Sequence, residues 1–478
     1  TTKTIWLNGI TGDFINDENN KQLVNLFDPN DQQIVKLFEK IDSCISKDNS
    51  QLIAPELQNP TPLAKQIWQD IWTVSGATPE NCLYTFVEIF IFKYLSDLEV
   101  LKGMHNFYSL ISMYDDNTDN EVLEYYANTI RPKIKQLFPK NTKDNTTIIN
   151  GTIFVSKDDK AVEGYSGVFK KILQRFYNYG KLEKIDYDFK SKIFESFLKE
   201  SISKKNWGQF FTPLKVVKPM VKMADIHDNM SICDPACGVG KFLLEAVLPK
   251  LKTFYKIKNG KLCSSVTLHG FDKGFDREEQ KTIILAKANM LIYFSDLIKE
   301  YPDPKYTKIF ADLFNETFTL KTNSILGTLR DPVKDEYDLI LTNPPYVTSG
   351  SSNLKDEIRK DPVLEKYYTA NGLGVEGLFM EWIINALKPN GKAFVVIPDG
   401  ILNRQNDYKL RKFICQNCII DALISLPLNT FFTTNKKTYI IALTKKDNFD
   451  VVQQSPVFSY LVSDIGETLD IYRFDTGE

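Results

Sequence analysis

The sequence predicts an α/β protein: a doubly wound, mostly parallel sheet preceded by a mainly helical segment. Three observations predict it. From about Trp207 onward, short apolar runs alternate with longer amphipathic stretches, the pattern of strands joined by crossover helices. Between about Pro60 and Lys199 the apolar spacing is helical instead. Several of the short apolar runs also end in an acid, closely spaced glycines or paired prolines, residues that stop a strand and turn the chain. The expected organisation is 1–59 as an unassigned N-terminal segment, a linker from an upstream domain being one reading of it, 60–200 as a helical domain, and 201–478 as the α/β domain.

In the helical domain, Ile67, Trp68, Ile71 and Trp72 fall on one helical face. Thr78, Pro79 and Glu80 read as a helix start: a cap, a proline in the first turn, and an acid near the positive end. The helix that follows is expected to bury Leu83, Phe86, Val87, Phe90 and Tyr94. Its apolar run, 83–95, is too short for a membrane span and contains Glu88 and Lys93. Asn150-Gly151 predicts a turn, with a hairpin between 148–149 and 153–154.

In the α/β domain, strand 231–233 precedes helix 242–247, and strand 266–271 precedes helix 282–292. Strand 337–341 precedes helix 378–387, and strand 393–397 precedes helix 410–414. Strands 422–426 and 439–443 close the series. Sheets of this kind bind ligands at the carboxyl ends of their strands, so chemistry is sought there.

Composition narrows the function classes. Hydrophobic residues make up 43% and charged residues 25% of the 478 residues, with a net charge of -2. This is a globular mixture without the basic excess of a free-standing DNA binder. The seven cysteines are odd in number and mostly scattered, which reads as a reduced, cytoplasmic protein. Cys415 and Cys418 form one CxxC, but no second pair or nearby histidine completes a zinc site. They are expected as half-buried thiols at a helix end. His105, His227 and His269 stand alone, so no metal is expected.

Four motifs lie at expected strand ends. The first is Asp234-Pro235-Ala236-Cys237-Gly238-Val239-Gly240. Its glycines permit a tight turn and close approach to a ligand. Its acid would repel a pyrophosphate but would accept hydrogen bonds from an ammonium group. Such an acid favours a ligand with a cationic amino-acid portion, as in S-adenosylmethionine. A bare strand-to-helix turn is the plain alternative. The second is Gly270-Phe271-Asp272, where the acid can bind both hydroxyls of a ribose; a solvated loop acid is the competing reading. The stretch 256–264 reads as an insertion between the two. The third is Ala311-Asp312-Leu313 after Ile309-Phe310, read as another strand end whose acid accepts from the cofactor's adenine amino group.

The fourth, Asn343-Pro344-Pro345-Tyr346, decides between readings. Two successive prolines fix a rigid extended turn where the sheet ends. That turn aims the Asn343 amide and the Pro344 carbonyl at one point, where both can accept hydrogen bonds from an exocyclic amine. The aromatic ring of Tyr346 can stack on a flat base.

These motifs, in this order, resemble the amino-methyltransferases that act on N6 of adenine or N4 of cytosine; Tyr346 and the motif order favour adenine. The stretch Gly208-Gln209-Phe210-Phe211-Thr212-Pro213 resembles an element of the modification subunits of type I restriction-modification systems. Glu376-Gly377-Leu378-Phe379, Gly391 through Gly400, Ile424 through Pro427 and Phe431-Phe432 also fall in that family's order. The resemblance runs from about Leu63 to the end. Val239 and Lys241 depart from the family's usual residues, and Lys241 is expected to point to solvent.

The resemblance implies a Rossmann-like class I methyltransferase sheet, S-adenosylmethionine as cofactor, and methyl transfer to a flipped-out adenine of double-stranded DNA. It implies that Gln209, Phe210, Phe211, Thr212 and Pro213 help cover the cofactor. Asp234, Ala236, Gly238, Gly240, Asp272, Asp312, Leu313 and Asn343 would bind it, and Asn343, Pro344, Pro345 and Tyr346 would act on the base. A specificity subunit or fused target-recognition domain would read the DNA sequence, which suits the near-zero net charge. A restriction subunit or upstream nuclease domain would be a further partner, and no membrane is involved. Methyltransferases of protein glutamine or RNA share Asn-Pro-Pro-Tyr and form one alternative. A catalytically inactive assembly module forms another.

Overall fold

The computed structural model describes residues 6–7, 14–15, 61–182, 212–274, 280–346, 351–370, 372–431 and 436–466. The chain divides into two compact units. The first comprises Thr1–Pro139, Thr147–Ser203 and Leu291–Ala311; the second comprises Lys140–Thr146, Lys204–Met290 and Asp312–Glu478.

The first unit is built around the helix Pro79–Asp97. Thr78 caps it by accepting from the Asn81 N–H, and Pro79 and Glu80 occupy its first turn. Leu83, Phe86, Val87, Phe90 and Tyr94 are all buried, and so are Glu88 and Lys93. Two charges in so apolar a setting must be paired. Lys93 meets Asp97 at 2.6 Å and also donates to the Gly180 carbonyl. Glu88 accepts from Arg131 Nε at 2.7 Å and from the Gly151 N–H at 2.9 Å. That second bond corrects the expected hairpin. Gly151 packs against the helix, where an added Cβ would lie 2.9 Å from Thr85 Cα. The chain around it forms no strand pair with 148–149; an isolated bridge joins Val155 to Ala161 instead. In the helix Thr61–Ser75, Ile67, Trp68 and Ile71 are buried, whereas Trp72 is 46% exposed and stacks on Trp68 at 5.4 Å.

The second unit is an eight-stranded sheet with a separate hairpin. In chain order its strands are β1 (Ser231–Asp234), β4 (Thr267–Lys273), β5 (Phe318–Lys321), β6 (Tyr337–Thr342), β7 (Leu387–Pro398), β8 (Cys418–Ser425), β9 (Thr438–Lys445) and β10 (Phe458–Leu461); β2 (Tyr255–Lys258) and β3 (Lys261–Ser264) form the hairpin. The spatial order is β10-β8-β9-β7-β6-β1-β4-β5. Strands β5, β4, β1, β6 and β7 run parallel, and β9 runs antiparallel between β7 and β8. The chain leaves β1 toward β4 and β5 and then returns to place β6 on β1's other side. The β1/β6 boundary is therefore the topological switch point, where such sheets open a crevice at their carboxyl edge.

The six strands expected from apolar runs are all present, and 256–264 lies in the β2–β3 hairpin. One face of the sheet is covered by the helix Gly374–Ala386, whose Trp382 is wholly buried among Tyr337, Ile340 and Val395 and donates to the Asp331 carbonyl at 2.8 Å. Cys415 is exposed and Cys418 buried. Among the described residues, no cluster of metal-ligating side chains occurs and no helix is long and apolar enough to cross a membrane.

Candidate active site

Two strand ends make the site. Cys233 of β1 pairs with Ile340 of β6, so the chain leaves both strands side by side. A pocket at that edge is lined by Thr212, Asp234, Ala236, Cys237, Gly238, Val239, Lys241, Phe242 and Asn343. The structure thus brings together the Asp234 turn, the Asn343 corner and Thr212, three elements far apart in the chain.

The turn after β1 folds as its glycines require. Gly238 and Gly240 have φ of 51° and 82°, a region costly for residues with a Cβ. Gly240 starts the helix Lys241–Val247. The Thr328 hydroxyl donates to the Pro235 carbonyl at 2.7 Å, and the Cys237 N–H donates to the Phe271 carbonyl at 2.9 Å. The glycines also serve packing. A Cβ at Gly240 or at Gly270 would meet the Phe318 ring at 2.6 Å.

Asp234 is 1% exposed. Its Oδ1 accepts from the Ala236 N–H at 3.2 Å, and among the described residues no basic side chain pairs with it. Burial pushes it up to about 7. The Asp272 charge adds to the rise, while the Thr342 hydroxyl and the Ala236 N–H oppose it. Thr342 Oγ1 is buried close by but out of hydrogen-bonding geometry, so no described group satisfies it. A buried acid without a countercharge, an orphaned hydroxyl and a glycine turn suit a ligand with a cationic amino-acid portion. They fit S-adenosylmethionine.

Asp272 stands at the end of β4, half-buried, outside the pocket lining, and its charge also raises the buried Cys237 thiol. Lys241 does not point to solvent. It is 6% exposed and lines the pocket.

Asp312 and Leu313 are corrections. They lie inside the helix Pro304–Thr317, and Asp312 is exposed. The third strand end belongs to β5, which closes on Lys321 and is followed by Thr322 and Asn323, with no acid. Thr307, Phe310, Ala311, Phe314 and Thr317 are buried at helical spacing, and the Asp303 side chain accepts from the Lys305 N–H at 2.9 Å just before the helix begins. Both signals outweigh the apolar pair Ile309-Phe310. Gln209, Phe210 and Phe211 lie outside the described residues; Thr212 and Pro213 are described, and Pro213 precedes the helix Leu214–Met223.

At the Asn343 corner, Pro344 is buried while Asn343, Pro345 and Tyr346 are half-buried. Asn343 Nδ2 donates to Thr212 Oγ1 at 3.1 Å, and the Tyr346 hydroxyl donates to Asn343 Oδ1 at 2.9 Å. The Tyr346 ring meets Phe431 edge to face, with centroids 6.4 Å apart.

Asn289, Phe431 and Thr342 had been given no role from sequence. Asn289 donates to the Val239 carbonyl at 3.0 Å from inside the helix Gln280–Tyr293. Its polar side chain in an apolar helix was a readable signal.

This sheet order, with an antiparallel strand inserted beside the last parallel pair and the pocket at the β1/β6 switch point, defines a Rossmann-like class I methyltransferase fold. The chain belongs to the N-6 DNA methylase family, whose profile matches residues 185–468. It is 26% identical over 306 residues to the type I restriction enzyme EcoEI methylase subunit of Escherichia coli, covering 60% of this chain and 56% of that one. It is 25% identical over 279 residues to the type II methyltransferase M.HincII of Haemophilus influenzae, covering 57% of this chain and 45% of that one. The chain spans about half the length of these curated relatives. Its fold is similar to the crystal structure of a modification subunit of a putative type I restriction enzyme from Vibrio vulnificus YJ016, with TM-score 0.52, 18% identity, and coverage of 84% and 83% of the two chains.

Proposed function

We propose that this chain methylates N6 of adenine in DNA as the modification subunit of a restriction-modification system. The observation that carries the reading is the junction of Asp234 and Asn343 in one pocket at the switch point, together with membership of the N-6 DNA methylase family. S-adenosylmethionine, when bound, would supply an electrophilic methyl group; the thioether left behind is neutral, and the methylated nitrogen would release one proton to water. Asp234 binds its ammonium group, the Ala236 to Gly240 turn approaches it closely, and Asp272 takes the ribose hydroxyls. Asn343 Oδ1 and the Pro344 carbonyl accept from the adenine amine and hold its lone pair toward the methyl group, a positioning effect in a site arranged beforehand. The Pro344-Pro345 pair keeps those acceptors rigid. Tyr346, with Phe431 at its edge, supplies the aromatic surface for a base extruded from the duplex.

The net charge of -2 supports division of labour. A specificity subunit or target-recognition domain reads the sequence and contacts most phosphates, and a restriction subunit joins the same cytoplasmic assembly. The test is transfer of tritiated methyl groups to unmethylated genomic DNA, RNA and protein side by side, using the chain with its specificity partner. N6-methyladenine in the digested DNA is expected. Label confined to RNA or protein would overturn the reading.

A further inference from the structure

The Asn343 amide has two ends of nearly equal shape, and only one can serve a reacting amine. Its oxygen accepts; its NH2 would set donor against donor. Rotation about the last side-chain bond exchanges them, so something must choose. In the structure two hydroxyls grip the amide from opposite ends: Thr212 Oγ1 accepts from Nδ2 at 3.1 Å, and the Tyr346 hydroxyl donates to Oδ1 at 2.9 Å. Burial raises the Tyr346 phenol well above its usual range, so it stays protonated and keeps donating to Oδ1. Thr212 reaches the corner from just before the helix Leu214–Met223 and also lines the pocket beside Asp234.

We propose that Thr212 is a positioning residue that commits the Asn343 amide oxygen to the cleft, where the Tyr346 hydroxyl occupies it until a substrate amine takes its place. The assignment rests on the methyl-transfer reading and deepens it. Thr212 was expected to cover the cofactor; here it acts through Asn343. Thr212 keeps the amide oriented while Tyr346 exchanges with substrate. The Tyr346 hydroxyl, in turn, competes with the amine for one acceptor while its ring offers a stacking surface.

The test compares Thr212→Val, which keeps the shape and loses the hydroxyl, with Thr212→Ser, which keeps the hydroxyl. In methyl transfer to DNA by the chain with its specificity partner, Thr212→Val is expected to lower kcat roughly 10- to 100-fold. Binding of S-adenosylmethionine, measured by calorimetry, is expected to change less than about twofold, and Thr212→Ser to restore kcat. Weakened cofactor binding at unchanged kcat makes Thr212 a cofactor contact and overturns the proposal. Tyr346→Phe removes the competing hydroxyl, so KM for DNA is expected to fall. A second arm needs no turnover. With 15N-labelled asparagine, the Asn343 side-chain amide is expected to shift and lose exchange protection in Thr212→Val and to regain it in Thr212→Ser. An unaltered Asn343 signal overturns the positioning role whatever the chain methylates. Absence of transfer by the unmodified chain with an intact Asn343 signal would instead count against the methyl-transfer reading alone.

Discussion

Asn289 donates its side-chain amide to the carbonyl of Val239 at 3.0 Å, tying the middle of the glycine turn to the helix behind it. The same side chain leaves its Oδ1 buried without a partner. A group kept at that cost points to a role in shaping the turn. Asn289→Leu is expected to weaken S-adenosylmethionine binding about fivefold, the worth of one lost hydrogen bond of about 1 kcal/mol. Calorimetric titration checks it. An unchanged affinity would mean the turn holds its form without this tether.

Asp234 makes stability depend on pH. It titrates near 7 in the folded protein against an ordinary value of 3.8. Between those values the folded chain holds a proton that the unfolded chain has released. The site therefore disfavours folding increasingly as pH rises from about 4 to about 7, and fully above that. Asp234→Asn is expected to be more stable than the unmodified chain at pH 8, by a few kcal/mol at most, and so to melt at a higher temperature, with the gap closing toward pH 4. The same substitution is expected to abolish cofactor binding, so stability and function pull apart at one residue. Melting curves across pH 4–8 decide it; a gap independent of pH would mean that Asp234 is ionised throughout.

Gly240 and Gly270 face the same Phe318 ring for different reasons. Gly240 has φ of 82°, and a Cβ there would lie 2.6 Å from the ring; Gly270 lies in β4 and faces only the clash. Gly240→Ala is expected to cost roughly 2–4 kcal/mol from strain and overpacking together. Phe318→Leu should rescue Gly270→Ala substantially and Gly240→Ala only in part. Denaturant unfolding of the single and double variants measures both couplings.

Asn343→Ala removes the acceptor at the corner and leaves Asp234 and its turn in place. Transfer to DNA is expected to fall by a factor on the order of a hundred or more, with cofactor affinity close to unchanged. Loss of binding together with loss of folding would make the corner a structural turn.

In the helical unit, Arg131 and Glu88 are each 4% exposed in their side chains and meet at 2.7 Å. Arg131→Met strands the Glu88 carboxylate and is expected to cost about 3–5 kcal/mol. Adding Glu88→Gln should recover part of that loss, because the amide no longer buries a charge. Thermal unfolding of the two variants checks the order.

The carboxyl edge of the sheet was legible because strand ends announce themselves. The apolar runs stopped by Asp234-Pro235, by Asp272 and by Asn343-Pro344-Pro345 end within a residue of where β1, β4 and β6 end. The sheet's parallel core was equally plain from the spacing of apolar runs. Strand β5 was not. It is four residues long, and Phe-Thr-Leu-Lys carries too little periodicity to separate from a loop. Missing it moved the third strand end onto Asp312. Tertiary roles were also hidden. Nothing local reveals that Phe318 fills the space left by two glycines, or that Gly151 backs onto a helix instead of turning a hairpin. The Thr212 contact joins residues 131 positions apart, a distance no window along the sequence can span.

The segment Lys140–Thr146, which belongs to the sheet unit, has a practical consequence for anyone dissecting this protein. Asp144 accepts the Leu320 N–H of β5 at 2.9 Å, and Thr146 accepts from the buried Lys287 ammonium at 2.7 Å. A fragment begun near residue 204 would carry every strand-end motif of the pocket yet leave that outer strand's amide bare and a lysine stranded. Supplying 140–146 as a separate peptide, or grafting it ahead of the fragment, should restore solubility where trimming alone yields aggregates.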